Sequence, residues 1–229
     1  MEMLNVLGFF EISKTLQDII EDPGKIIENL KLIAKSPVVL ITLLGIIVLI
    51  VLLTKVRKVK FDSKVITYVA VAVALSAILS FIKIYKLPMG GSVTLGSMIP
   101  ILILAFAYGS EVGFIAGLVL GLVNLVIDPY ILHPVQVLFD YILPFMILGI
   151  AGYFKNKQLG IVAAVVGRFI FHFLSGVIFF AEYAGDMNPY IYSILYNGTY
   201  LVPEMIISIV IISVVPIERI FHKRKSKYA

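Results

Sequence analysis

The sequence predicts an all-α integral membrane protein with seven membrane-crossing helices, and two observations support this prediction. Hydrophobic residues make up 60% of the 229 residues and charged residues only 14%, whereas soluble domains are about half apolar and about a quarter charged. The apolar residues are also gathered into runs, and a bilayer crossing needs about 20 of them in a helix that satisfies its own backbone hydrogen bonds. The runs cover residues 37–53, 64–85, 93–109, 112–127, 132–154, 159–182 and 196–220.

The chain is expected to have two parts. Residues 1–60 hold an N-terminal amphipathic segment and one extra transmembrane helix, and residues 61–229 form a six-helix membrane domain. Apolar residues recur at helical spacing on both sides of "DPG" (22–24), which predicts two short amphipathic helices on the membrane surface. The first long run begins too far from Met1 for an ordinary secretion signal, so we expect it to be retained.

Basic residues predict the orientation of the chain. They cluster in "KVRKVK" (55–60), "KNK" (155–157) and "HKRKSK" (222–227), and the number of crossings between these segments puts all three on one side. The positive-inside rule assigns that side to the cytoplasm. We therefore expect a multi-pass protein of the cell membrane with a cytoplasmic C-terminus. Because the clusters are short and flank apolar runs, they indicate topology and not nucleic-acid binding.

Polar residues form stripes within three of the apolar runs. The stripes are Arg168, His172, Ser175, Phe179 and Glu182 in the sixth run, Ser193, Asn197, Tyr200 and Glu204 in the seventh, and Gln136 and Asp140 in the fifth. Their spacing of three or four residues puts each set on one helix face. Polar groups that face lipid cost a few kcal/mol each, so we expect the stripes to line a cavity open to the outside.

The residues expected around this cavity favour a flat organic cation as ligand. A carboxylate can neutralise a positive charge or accept a hydrogen bond from an amine, and aromatic rings attract cations at their faces. The candidate walls are Asp140, His172, Asn197, Tyr130, Tyr141 and Tyr192.

Structural roles remain open for several of these residues. His172 is equally consistent with a packing hydrogen bond between helices. Arg168 favours a structural pairing with a carboxylate or with loop carbonyls. Glu204 follows Pro203, which frees a backbone carbonyl, so a structural hydrogen bond is an alternative to ligand contact. Tyrosines near a membrane interface commonly serve as anchors.

Several kinds of chemistry lack their residues in this sequence. There is no cysteine, so disulfides and thiolate chemistry are excluded. No GxxxxGK[ST], HExxH or GxSxG pattern occurs, which removes the common ATPase, metalloprotease and serine-hydrolase interpretations. The three histidines are scattered, and a three-histidine metal site is not expected. We predict no enzymatic activity and no cofactor.

Four segments together resemble the thiamine-specific substrate-binding (S) component of energy-coupling-factor (ECF) transporters. They are "PMGGSVTLGSMIPI" (88–101), "YILHPVQVLFDYILPFMILGIAG" (130–152), "HFLSGVIFFAEYA" (172–184) and "YSILYNG" (192–198). The resemblance covers about residues 64–220 and implies a six-helix substrate-binding bundle preceded by the extra helix. It also implies high-affinity capture of thiamine from outside, and delivery through a transmembrane coupling subunit with two ATPase subunits.

The resemblance implies roles for particular residues. Thiamine contacts would fall on Tyr130, Asp140, Tyr141, His172, Phe180, Tyr192 and Asn197. The family's docking face for the coupling subunit would fall on Ala70 and Ala74, although small residues four apart equally suit packing between helices. Relatives stack the ligand on Trp, which this chain lacks. Phe180 takes one such position, and Gly91 lies near another.

Other functions remain as alternatives at this point. One is an S component for another vitamin or for a thiamine precursor. A second is an intramembrane enzyme that uses His172 and Asp140 as acid and base, and a third is a membrane scaffold.

Overall fold

The computed structural model describes residues 36–56 and 62–217. The amphipathic helices predicted in residues 1–35 and the basic residues at 57–60 and 222–227 lie outside the described residues. The chain divides into two units after Leu44, and the cavity and the helix packing described below belong to the second unit. The predicted domain boundary after residue 60 also falls outside the described part and stays a prediction.

Seven principal helices form in the described ranges, which confirms the predicted all-α membrane class. Six of them are long and apolar enough to cross a membrane. Their bounds are α1 Pro37–Val56, α2 Ser63–Phe81, α3 Ile99–Tyr108, α4 Ser110–Ile127, α5 Pro134–Tyr153, α6 Lys157–Phe179 and α7 Pro189–Val214. The exception is α3, whose 10 residues rise about 15 Å, roughly half of a bilayer's hydrocarbon thickness.

A short hairpin separates α2 from α3, where the sequence predicted the ends of two apolar runs joined by a loop. The helix predicted up to residue 85 ends at Phe81. Strand β1 (Lys83–Lys86) pairs antiparallel with β2 (Ser92–Thr94), so the apolar run predicted at 93–109 begins as a strand. The turn between the strands requires positive φ at Met89 (60°) and Gly90 (96°). Such angles cannot continue a helix, so the turn forces the chain to reverse.

Asp and Asn side chains cap the first turns of three helices. Asp62 Oδ1 accepts a hydrogen bond from the backbone N–H of Val65 at 2.8 Å, at the start of α2. Asn156 and Asn188 cap α6 and α7 in the same way, at 3.0 Å and 2.9 Å. These side chains satisfy backbone donors that have no partner within the helix.

Helix α5 is irregular, and its irregularity positions Asp140. His133 caps its first turn, with Pro134 at the first helical position. A π-helical turn follows at Leu138–Ile142, in which the N–H of Leu143 bonds the carbonyl of Leu138, five residues back. Pro144 has no N–H, so the carbonyl of Asp140 loses its usual helical donor within this turn. The widened turn changes which face of α5 the following residues occupy.

Glycines bring α4 and α5 into close contact. A Cβ atom at Gly117 would overlap the carbonyl of Phe145, and one at Gly121 would overlap the carbonyl of Tyr141. Gly113 faces Gly149 across the same contact, where a Cβ would lie 2.7 Å from the partner Cα. Small residues at four-residue spacing permit such approach in membranes. The irregular helix is therefore held directly against the backbone of α4.

Candidate ligand-binding site

A cavity of about 370 Å³ lies between the hairpin and helices α2, α4, α5, α6 and α7. Its exposed end, the mouth, includes Lys86, Gly90 and Asp128. All seven residues predicted to contact the ligand line this cavity: Tyr130, Asp140, Tyr141, His172, Phe180, Tyr192 and Asn197. The structure therefore brings together the residues that the polar stripes and the family resemblance singled out, although their roles remain predictions.

Asp140 faces the cavity and is held by three side chains. Its Oδ2 atom accepts hydrogen bonds from Gln136 Nε2 at 2.6 Å and from Ser175 Oγ at 2.9 Å. Its Oδ1 atom lies 3.1 Å from His172 Nδ1. The side chain is only 16% exposed, and these donors stabilise a charge that lipid would not tolerate.

The partners of His172 determine which of its ring nitrogens carries the hydrogen. Arg168 Nε donates to His172 Nε2 at 3.2 Å, so that Nε2 must accept. The hydrogen of the neutral ring is then on Nδ1, where it is donated to Asp140. The guanidinium of Arg168 also lies over the ring of Phe145, 4.3 Å from its centroid. Arg168 was expected to pair with a carboxylate or with loop carbonyls, and it contacts the carboxylate of Asp140 through His172.

The amide of Asn197 connects α6 to α7. Its Nδ2 donates to the carbonyl of Ser193 at 2.9 Å and to that of His172 at 3.3 Å. Its Oδ1 accepts from the hydroxyl of Tyr200 at 2.8 Å. Asn197 is buried, and Gly176 opposite leaves room for Ser193. The hydrogen bonds of this amide thus fix the helix pair, and one lone pair of Oδ1 remains for a ligand.

Aromatic residues form the outer walls. Tyr130 stacks on Phe180 with 5.9 Å between the ring centroids. The hydroxyl of Tyr141 accepts from the N–H of Tyr130 at 2.7 Å and donates to the carbonyl of Asp128 at 3.1 Å. Tyr141 therefore holds the loop after α4 in place, which in turn orients the ring of Tyr130.

Tyr196, which the sequence interpretation did not place in the site, closes the hairpin side of the cavity. Its hydroxyl accepts from the N–H of Gly91 at 3.0 Å and donates to the carbonyl of Pro88. A Cβ atom at Gly91 would lie 2.7 Å from that hydroxyl. The ring of Tyr196 thus fills the space beside Gly91 where relatives are expected to place a larger side chain. The sequence signal that could have placed Tyr196 in the site was its spacing of four residues from Tyr192 and from Tyr200.

Glu204 lies at the inner end, where it binds the hairpin. Its Oε1 atom accepts from both the backbone N–H and the hydroxyl of Thr94. Its Oε2 atom is buried and has no hydrogen-bond partner among the described residues. Glu204 is 3% exposed and belongs to the cavity lining. Its Oε1 atom thus makes a structural contact, while its Oε2 atom has no hydrogen bond among the described residues.

An ion pair borders the mouth. Lys83 Nζ lies 2.5 Å from Asp128 Oδ2, which joins the start of the hairpin to the end of α4. The hydrogen bond from Lys83 lowers the pKa of Asp128 below its ordinary value. The Asp128 side chain is 53% exposed, so solvent screens this pair.

Two predicted features lie away from the cavity. Glu182 does not continue the stripe on α6, because the helix ends at Phe179 and Glu182 is exposed in a 3₁₀ turn at Ala181–Ala184. Ala70 and Ala74 are both exposed on the outward face of α2. In the described part of the chain, no group of three or more His, Cys, Asp or Glu residues could hold a metal ion.

These features define a class: a multi-pass membrane protein whose helices enclose a cavity with aromatic walls and two carboxylates, one of them buried. The model of the thiamine transporter protein family (Thia_YuaJ) matches residues 66–223, and the chain belongs to this family. The resemblance noted in the sequence is thereby confirmed. Membership in a transporter family also confirms the prediction that the chain is not an enzyme.

Individual relatives agree with this assignment. The thiamine transporter ThiT of Bacillus subtilis (strain 168) is 36% identical over 165 residues, which cover 63% of this chain and 85% of the relative. ThiT of Lacticaseibacillus paracasei is 27% identical over 139 residues, or 51% and 69% of the two chains. A solved structure of ThiT from Listeria monocytogenes superposes with a TM-score of 0.61 at 27% identity. The match covers 66% of this chain and 91% of the ThiT chain.

Proposed function

We propose that this chain is the high-affinity thiamine-binding subunit of an ECF-type vitamin importer. It captures thiamine from outside the cell and delivers it through a transmembrane coupling subunit driven by two ATPase subunits. The observation that carries the proposal is Asp140, a carboxylate held by three donors inside an aromatic-walled cavity of a thiamine transporter family member.

The cavity suits thiamine in size and chemistry. Its volume of about 370 Å³ falls within the usual range of small-molecule sites, about 300–1,000 Å³. Asp140 and His172 fix the polar pyrimidine ring or the positive charge of the thiazolium ring. The flat rings lie among Tyr130, Tyr141, Tyr192 and Phe180, and Asn197 adds a directional contact through Oδ1.

Helix directions support entry from outside. Gln158 near the start of α6 donates to Ser213 near the end of α7 at 3.2 Å, so these two helix ends lie together. They lie beside the basic segment 155–157, at the end of α5 remote from His133 and the cavity mouth. With the basic end in the cytoplasm, the mouth opens outward and the C-terminus is cytoplasmic.

The outward face of α2 is proposed as the docking surface for the coupling subunit. Ala70 and Ala74 are exposed there and four residues apart, so that another helix can approach their backbone closely. Residues 1–60 are proposed as a separate accessory part of the subunit.

A thermal-shift screen of the purified chain against water-soluble vitamins tests the proposal. A ligand at 100 times its dissociation constant stabilises the folded state by about 2.7 kcal/mol, so thiamine is expected to raise the melting temperature clearly. A shift with a pyrimidine precursor or another vitamin alone assigns a different cargo, and no shift with any of them refutes vitamin capture. Uptake into vesicles is expected only with the coupling and ATPase subunits present.

A further inference from the structure

The ionisable residues of the cavity fall into an outer and an inner group. The outer group is Lys83, Lys86 and Asp128 at the mouth, where Lys83 pairs with Asp128 and water screens the charges. The inner group is defined as Asp140, Arg168 and Glu204, which share the lining with neutral His172. When both carboxylates are ionised, the two carboxylates and one guanidinium give the inner group a net charge of −1.

The charge of Asp140 already has a partner. Arg168 contacts His172, which contacts Asp140, so the guanidinium and the carboxylate are joined through one ring. Arg168 also interacts electrostatically with both Asp140 and Glu204. Arg168 therefore offsets the charge of one carboxylate, and the second carboxylate leaves the cavity with an excess of negative charge.

Glu204 lacks the hydrogen-bonded connection through His172 that joins Asp140 to Arg168. Its Oε1 atom is bound by the neutral donors of Thr94, and its Oε2 atom has no hydrogen bond within the described residues. No ion pair with Glu204 occurs in residues 36–56 and 62–217. The ionised form of a 97%-buried carboxylate with one free oxygen in a cavity wall is costly unless a positive charge compensates it.

We propose that Glu204 provides the negative charge that makes the cavity select a monocation over a neutral molecule of the same shape. This inference rests on the proposed function, in which the monocation is thiamine with its thiazolium charge. Asp140 orients the ligand through directional hydrogen bonds, whereas Glu204 sets the net charge that the ligand must balance. Glu204 is a specificity-determining residue in this scheme.

The net charge of the inner group predicts that the preference for thiamine falls in one variant and rises in another. The ligands are thiamine and 3-deazathiamine, its neutral thiophene analogue, and the measured quantity is the ratio of their dissociation constants by calorimetry in detergent. The inner group carries −1 in the wild type, 0 in Glu204→Gln, −2 in Arg168→Gln and −1 in the double variant. The preference for thiamine should fall about 10- to 30-fold in Glu204→Gln, as expected for one charge roughly 8–12 Å away at an effective dielectric constant near 20. It should rise in Arg168→Gln and return toward wild type in the double variant.

A matched control separates charge from architecture. Thr94→Val removes the hydroxyl donor to Glu204 but keeps its charge, so it should weaken both ligands together and leave their ratio unchanged. If Glu204→Gln also weakens both ligands equally, Glu204 is only an anchor for the hairpin and the inference is overturned. If that variant does not fold, an unchanged ratio in Arg168→Gln overturns it equally. A wild-type chain that binds neither ligand refutes the proposed function itself.

Discussion

Replacing Asp140 by Asn removes one charge from the cavity and almost no volume. The two carboxylate oxygens together contact three donors, from Gln136, Ser175 and His172. An Asn amide has only one oxygen. If that oxygen takes the place of Oδ2, the new NH₂ group faces the Nδ1 hydrogen of His172. The histidine cannot move its hydrogen to Nε2, because Arg168 donates there.

The cost follows from these contacts. A hydrogen bond that involves a charged group contributes about 1.5–3 kcal/mol, and each 1.4 kcal/mol is a factor of ten in affinity. If thiamine binding depends on the ionised Asp140, the variant should bind thiamine roughly 10- to 150-fold more weakly. Because the orphaned donors are present without ligand as well, the variant should also unfold at a lower temperature.

Isothermal titration calorimetry in detergent measures the first effect. Asp128→Asn is the matched control, since it makes the same substitution at a half-exposed position of the mouth. A surface ion pair contributes about 0–1 kcal/mol, so the control should change affinity less than about fivefold. Thiamine affinity within threefold of wild type in Asp140→Asn would refute the assigned role of this carboxylate.

Three further predictions follow from contacts outside the inner group. Tyr141→Phe removes the hydroxyl that holds the loop at Asp128 and should cost about 1 kcal/mol of stability, with weaker thiamine binding; unchanged melting and affinity would contradict this. Gly117→Ala should separate α4 from α5 and lower the melting temperature, whereas Gly198→Ala, which has open space, should raise it slightly; equal effects would argue against the close helix contact. Because the Asp128 pKa is lowered by Lys83, this pair stabilises the fold above the unfolded-state pKa of about 3.9. That contribution should disappear as pH falls through the lowered pKa. The free energy of unfolding should therefore fall less between pH 6 and pH 3 in Lys83→Met than in the wild type.

Helical periodicity explains why much of the site could be predicted. His172 and Ser175 on α6 are three residues apart, and Asn197 and Glu204 on α7 are seven residues apart, so each pair lies on one face of a regular helix. Because polar side chains are unfavourable in lipid, they must face the interior of the helix bundle. Asp140 was found by the same reasoning, as a carboxylate in an apolar segment whose burial needs partners.

The remaining features depend on contacts that hydropathy does not record. Residues 82–85 and 93–94 were assigned to apolar runs on either side of a predicted outer loop at 86–92, yet both short segments contribute to the strands of a hairpin that turns at Met89 and Gly90. Tyr196 resembled an interfacial anchor in the sequence. Its contact with Gly91 joins residues far apart in the chain and could not be seen before folding. The sixth run appeared to continue to Glu182, although the helix ends three residues earlier at Phe179.

The π-helical turn at Leu138–Ile142 has a consequence for how this protein tolerates changes in length. Such a turn holds one residue more than a regular helical turn, so deleting a single residue there would restore an ordinary helix while rotating everything on one side by about 100°. Asp140 would then be out of phase with His172 and Ser175, even though the segment would look equally hydrophobic. Alignment gaps of one residue in this stretch therefore mark chains with a differently facing carboxylate.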